Sequence, residues 1–341
     1  NDLFGIELNH SEIFNGGDAG PFNVNVKITN NQIYNNGSLD NFPWGTRNYF
    51  RGISANGNEE NVTVTGNTIY GHNTATGGDF EENGGKTSAG IRISNSDDWT
   101  IQNNEIYDNT KGIMAYGTST SIVINSGNTI RDNAQGIHIK DDANATINYN
   151  KIMNNDVTDW QPDIDPYGCK NDNSSVTVDA ELNWWGAADG PDDDAGNING
   201  SGDRISTNID AEPIFIPADI TTELTEDTYV TADLVLEDAS SLKLGDFDLF
   251  IAGNVQHNGE GHIHTDGDGR LILPTASSST FYVGTPDLGV CPLVVTAPTG
   301  NTFSVNLTGY TENSIAGNFL SRCYWDINHD DGSDAADIDF V

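Results

Sequence analysis

The sequence predicts an all-β chain: a parallel β-helix over residues 1–216, a further β-solenoid or sheet segment over 217–278, and a β-sandwich-like end over 279–341. Three observations carry this. Gly90-Ile91-Arg92-Ile93 returns as Gly112-Ile113-Met114-Ala115 and again as Gly136-Ile137-His138-Ile139, at spacings of 22 and 24 residues. A repeat of that length is one supersecondary unit stacked on copies of itself. Within each copy apolar and polar residues alternate at the strand period, and no run suits an amphipathic helix. An Asn-x-Ile triplet recurs in step at Asn31, Asn67, Asn104, Asn128 and Asn150. Asn accepts the left-handed backbone of a sharp corner, and stacked Asn side chains can bond along an axis as a ladder.

Taken in order, residues 1–36 hold a first coil with Gly5-Ile6-Glu7-Leu8, Val26-Lys27-Ile28 and Asn31-Gln32-Ile33-Tyr34. Residues 52–72 hold a second, and three regular coils follow to Asn155. A last coil carries Val176-Thr177-Val178 and Asn183-Trp184-Trp185-Gly186, with Trp185 where earlier coils have Ile, so two large rings are expected to plug the core. Insertions at 37–51, 73–88 and 156–175 leave at the same point of the period and should form a wall beside the Gly-Ile strands. From about Pro217 the Asn corner is lost while alternation continues through Leu234-Val235-Leu236, Leu249-Phe250-Ile251 and Leu271-Ile272-Leu273. Phe281-Tyr282-Val283, Leu293-Val294-Val295 and Phe303-Ser304-Val305, with turn clusters between them, predict the sandwich-like end.

Fifty-one Asp and Glu against 14 Lys and Arg give a formal net charge of −37. Such a surface repels nucleic acid and anionic membranes, and it suits a medium in which salt or calcium screens or bridges carboxylates. No apolar run is long enough to cross a membrane as a helix, so no membrane insertion is expected. The apolar content of 35% in ordered β runs argues against disorder. Of three cysteines, Cys291 and Cys323 are the expected pair, and Cys169 is placed in a loop. The chain begins at Asn1, already in a coil-like segment, and reads as a processed or excised piece of a longer secreted polypeptide.

With Asn183-Trp184-Trp185-Gly186 and Gly190-Pro191 in the place of a closing motif, residues 1–210 resemble the right-handed parallel β-helix proteins of the pectin-lyase-like superfamily. That resemblance implies the fold and leaves the function open, because the fold hosts lyases, hydrolases, epimerases, adhesins and inert stalks. The C-terminal part, with Phe281-Tyr282-Val283-Gly284 and Tyr324-Trp325-Asp326-Ile327, is similar to repeated β modules of giant secreted surface proteins of Bacteroidota.

Three constellations offer chemistry. The outward column of the Gly-Ile strands should contain Glu7, Ser54, Arg92, Met114 and His138, and the next column Asn9, Asn56, Ser94, Tyr116 and Lys140. Arg92, Tyr116, His138 and Lys140 on one face are the group types that β-elimination of a uronate polymer uses, a base for the C5 proton and cations for the carboxylate. The plain alternative is a solvated polar sheet face. Trp44, Tyr49, Phe50, Trp160 and Tyr167 could stack on sugars, or anchor their loops. For calcium, Asp189, Asp192, Asp193 and Asp194 form one acidic loop, and Asp326, Asn328, Asp330 and Asp337 approximate an EF-hand-type spacing set among strands; a hairpin turn is the alternative. His262 and His264 could bind a metal, or lie on a solvated strand face. The expected function is an extracellular, cell-surface or adhesive protein without catalysis, binding a polysaccharide or surface glycan. The alternatives are a polysaccharide lyase or hydrolase and a self-associating fibre subunit.

Overall fold

The computed structural model describes residues 4–8, 23–36, 50–57, 59–73, 88–156, 165–198, 200–218, 220–231, 233–265, 267–274, 278–285, 289–296, 302–309, 323–329 and 337–340. It divides into two units, one of residues 1–186, 191–195 and 202–211, the other of residues 187–190, 196–201 and 212–341.

The first unit is a parallel β-helix of three sheets. Its first sheet stacks Phe4–Leu8, Arg51–Ala55, Ala89–Ser94, Lys111–Tyr116, Gln135–Ile139, Cys169–Asn171, Gly202–Ile205 and Pro191–Asp193 in that order. The second includes Glu59–Thr65, Asp97–Gln102, Ile122–Asn125 and Ala145–Asn148, and the third runs from Gln32–Tyr34 to Lys151–Met153. Ile53, Ile91, Ile113 and Ile137 are partners in successive strands and are fully buried. Each such burial stabilises the fold by roughly 1.5–3 kcal/mol. The glycine before each Ile is required by close approach. A Cβ on Gly112 would lie 2.6 Å from the Gly136 carbonyl oxygen, and one on Gly136 would lie 2.4 Å from that of Gly168.

The Asn ladder is present, with one correction to the reading of its corners. Asn104 donates from its backbone N–H and its Nδ2 to Oδ1 of Asn128, both at 3.0 Å, and the same double link joins Asn31 to Asn67, Asn67 to Asn104 and Asn150 to Asn183. The left-handed residue is the one before each ladder Asn: Asn30, Gly66, Asn103, Gly127, Tyr149 and Leu182 all have φ between 54° and 82°. The corner and the ladder are therefore separate positions, and the Asn is selected for its amide.

A second ladder runs along the other edge of the third sheet: Asn36, His72, Asn109, Asn133, Asn155 and Asp203. Each of its links from His72 downward also accepts the preceding backbone N–H. Outside it, Tyr34, Tyr70 and Tyr107 stack at centroid separations of 5.2 and 4.9 Å, and Arg131 caps the pile 4.5 Å over Tyr107.

Two further expectations change. Cys169, read as part of a loop, is a core residue of the first sheet, taking the place of Ile below Ile137. Residues 156–175 thus contain a coil strand, and burial pushes the Cys169 thiol up to about 12. Trp185 does occupy the core beneath Ile152, where the bridge of Lys151 to Trp184 sets the register, but it does not close the unit. Gly202–Ile205 and Ile209–Asp210 add strands below it, and Asp203 N–H donates to the Trp185 carbonyl at 2.7 Å.

The second unit begins as another three-sheet parallel stack. Ile214–Ile216, Leu234–Leu236 and Val255–His257 form one wall, Thr221–Glu223, Ser241–Lys243 and His262–His264 the next, and Thr228–Val230, Leu249–Ile251 and Leu271–Pro274 the third. Two walls then continue into antiparallel strands. Ser278–Thr285 adds to one in parallel with His262–His264 and is followed there by the antiparallel Gly289–Thr296 and Asp337–Phe340, while Thr302–Gly309 and Cys323–His329 extend the other antiparallel. Phe281, Leu293, Val295, Val305 and Leu307 are fully buried, as the inner faces of a two-layer end require. Cys291 and Cys323 lie in strands of different sheets; the Cys323 side chain, and with it the expected pairing, lies outside the described residues.

Candidate polar face of the first sheet

Strand alternation sends Ile inward and the next residue outward, and parallel register stacks the outward residues. Glu7, Ser54, Arg92, Met114, His138 and Lys170 form one column, as the spacing predicts for its first five members. Tyr116 stands beside Ser94 in the neighbouring column, and Lys140 follows directly on Gln135–Ile139, its N–H donating to the Ala115 carbonyl at 3.0 Å. The face is not the solvated one that alternation alone suggests. Every residue of Arg51–Ala55, Ala89–Ser94 and Gln135–Ile139 is buried, including Arg92 at 6% exposure and His138 at 8%. In the third sheet, by contrast, only the central Ile of each regular triplet is buried.

The buried groups are held by specific partners. Arg92 Nη1 donates to the Ala55 carbonyl at 3.0 Å and to Asn56 Oδ1, and its guanidinium lies 4.7 Å over the Tyr116 ring. Arg51 and Arg92 both reach Ser54 Oγ, at 3.4 Å. His138 Nε2 lies 2.8 Å from Asp172 Oδ2, and Lys170 Nζ lies 3.5 Å from Asp172 Oδ1 and 3.6 Å from Asp165 Oδ2. The hydrogen bond from His138 takes the Asp172 carboxyl down to about 2, so it is ionised at neutral pH. Burial lowers the pKa of His138 against the opposing pull of Asp172. The pair is therefore a carboxylate and a neutral imidazole with the proton on Nε2. His138 Nδ1 then carries a lone pair, and it is buried without a hydrogen-bond partner, as is Gln135 Oε1 on the same strand. The carboxylate thus fixes the tautomer and orientation of the imidazole, and burial shields its other nitrogen.

Of the residues singled out in the sequence, Arg92, Tyr116 and His138 lie in this sheet and Lys140 at its margin. Asp172, Lys170, Lys111 and Gln135 were missed. Gly168-Cys169 was the available signal, a Gly-Ile pair with Cys for Ile, which puts Lys170 directly below His138. Phe50 and Tyr167 are both buried, and neither offers an open ring as a sugar platform. Tyr167 donates its hydroxyl to Asp194 at 2.7 Å and carries Arg204 4.6 Å over its ring; burial and Asp194 push its phenol up to about 12. Trp44, Tyr49 and Trp160 lie outside the described residues.

The acidic loop is engaged locally. Asp189 accepts from Ser201 Oγ at 2.9 Å, Asp193 from the Ala195 N–H at 2.8 Å, and Asp194 from Arg204 Nε at 2.6 Å, while Asp192 is exposed. Asp326 and Asn328 sit in the strand Cys323–His329, where Asp326 pairs with Arg270. Asn328, with its amide oxygen toward Arg270, accepts from both Nη atoms at 3.0 Å. Both are strand residues engaged by Arg270. Asp330 and the Asp337 side chain lie outside the described residues, among which no three His, Cys, Asp or Glu side chains converge as a metal site.

No curated protein and no solved structure matches the chain. The family model of the right-handed β-helix region matches residues 5–184, more than half of the 341. With its three stacked parallel sheets and in-register Ile column, this chain belongs to the right-handed β-helix family.

Proposed function

We propose that this β-helix is an extracellular, cell-surface or adhesive protein that binds an acidic polysaccharide along the outer face of its first sheet. The observation that carries the reading is the placement of charge. The whole chain has only 14 Lys and Arg at a net charge of −37, yet Arg51, Arg92, Lys111, Lys170 and Arg204 all lie in strands of this one sheet, with Lys140 at its margin. Elsewhere the surface repels a polyanion; here cations and aromatic rings are interleaved. A polymer would first meet the exposed Arg204 and the partly exposed Tyr116, Lys140 and Lys170. Affinity electrophoresis against uronate-containing and neutral polysaccharides, with and without calcium, tests this. Retardation by the acidic polymers alone, weakening as salt rises, is expected; equal retardation by neutral polymers, or none by any, overturns it.

A second reading, polysaccharide lyase, is favoured by one observation: the unpartnered Nδ1 of His138 in its pair with Asp172. It requires an unsaturated product that absorbs in the ultraviolet, formed by the native chain and lost in His138→Gln. Binding without product keeps the first reading.

A further inference from the structure

The strand His262–His264 carries two imidazoles on one side, with Ile263 between them buried in the core. The rings lie 4.3 Å apart and 24° from parallel. His262 Nδ1 is 2.8 Å from the carbonyl oxygen of Glu260. A carbonyl only accepts, so Nδ1 carries the proton and Nε2 the lone pair. That Nε2 is buried and has no hydrogen-bond partner. A backbone carbonyl holding one ring nitrogen while the other points its lone pair at nothing is the outer-shell arrangement that metal-ligating histidines use. By register Tyr282 stands beside His262, and its ring lies 4.0 Å from that of His257, whose Nδ1 is likewise buried and unpartnered. His262, His264 and Tyr282 thus share one wall of the second unit, and His257 reaches Tyr282 from the adjoining wall.

We propose that His262 and His264 form a binding site for a first-row transition-metal dication, with His257 and Tyr282 beside it. Two imidazoles at i and i+2 on one face of a strand supply borderline nitrogen ligands, His262 through its unpartnered Nε2 and His264 through a ring nitrogen that side-chain rotation turns toward the same ion. Water completes the coordination, because no third ligand converges in the present rotamers. The donor set selects Cu2+, Ni2+ or Zn2+ and rejects Ca2+ and Mg2+, which take oxygen ligands. Lys243, in register with His264, adds a like charge and further disfavours ions that rely on charge alone.

The test is titration of the chelator-treated full chain with Cu2+ in a non-coordinating buffer, read by calorimetry and by electron paramagnetic resonance. One Cu2+ per chain with nitrogen hyperfine structure is expected, undisturbed by excess Ca2+. Affinity should be at least tenfold weaker in His262→Gln and in His264→Gln. In the unmodified protein, trace Cu2+ should broaden the imidazole NMR signals of His262 and His264 and leave those of His72 and His138 sharp, a readout that does not depend on a variant folding. Binding unaltered by both substitutions, broadening spread evenly over all histidines, or no binding of Cu2+ stronger than that of Ca2+ would overturn the proposal.

Discussion

His72 Nδ1 lies 2.9 Å from Oδ1 of Asn109, in a column where the next two links are Asn to Asn. Asn109 Nδ2 is already committed to Asn133 Oδ1 and to the Ile69 and Tyr107 carbonyls, so Oδ1 must accept, and His72 must donate from Nδ1. Its Nε2 then accepts from Asn36 Nδ2 at 3.1 Å. One tautomer of a neutral ring thus passes the ladder's donor-to-acceptor polarity through a buried site. Asp203, which has acceptors only, ends the ladder by taking the N–H and Nδ2 of Asn155 at 3.0 and 2.7 Å. His72→Asn should keep the ladder, whereas His72→Ala leaves Asn109 short of one donor and should cost about 1–3 kcal/mol. Chemical denaturation of the two variants checks the order.

Acid should act on the two titratable members of this ladder, His72 and Asp203, in opposite ways. Burial lowers His72 to about 4 from 6.5, so between those values the unfolded chain binds the extra proton and stability falls as pH falls. Burial raises Asp203 to about 6 from 3.8, so there the folded chain binds more protons and stability falls as pH rises toward 6. The two slopes offset each other in the native chain. In His72→Asn only the Asp203 slope remains, so its melting temperature relative to the native chain should climb steadily from pH 6.5 to pH 4. A constant difference contradicts the assignment.

Close approach and backbone strain should separate cleanly in glycine variants. A Cβ at Gly112 meets the Gly136 carbonyl at 2.6 Å and Ile130 Cγ2 at 2.9 Å, and neither can retreat without shifting a coil. Gly112→Ala should cost about 1–3 kcal/mol, the range of an overpacked core, or more. Gly196 has φ of +72° and nothing within 4 Å of a Cβ, so Gly196→Ala carries only the left-handed penalty, about 1–2 kcal/mol. Both are read from urea midpoints.

Leu182 sits at a corner with φ of +55°, where Gly66 and Gly127 stand in other coils. Leu182→Gly should relieve strain and raise stability by up to about 1 kcal/mol, because the left-handed penalty exceeds the extra entropy of glycine. A lower melting temperature would show that the leucine side chain matters more than its backbone.

Much of this molecule was legible because it repeats. Gly90, Gly112 and Gly136, the Ile that follows each, and the Asn of each Asn-x-Ile all superpose as their spacing requires. What stayed hidden breaks the repeat chemically. The second ladder substitutes His72 and Asp203 for Asn, so identity of residue does not reveal it, although hydrogen-bonding capacity does. Lys170 and Asp172 follow a Gly-Cys pair inside residues that read as an insertion. The buried outer face could not be inferred from alternation, since period two says which way a side chain points and nothing of what shields it.

Lys140 and Lys170 are partly exposed cations beside the Arg92 and His138 column of the first sheet, and they provide the most direct test of the function proposed for it. The affinity of the double variant Lys140→Glu, Lys170→Glu for a purified oligouronate is measured beside that of the native chain at matched ionic strength. A loss of at least tenfold, with the melting temperature unchanged and the salt dependence reduced, is the predicted result. Equal affinity in a folded double variant would contradict the account.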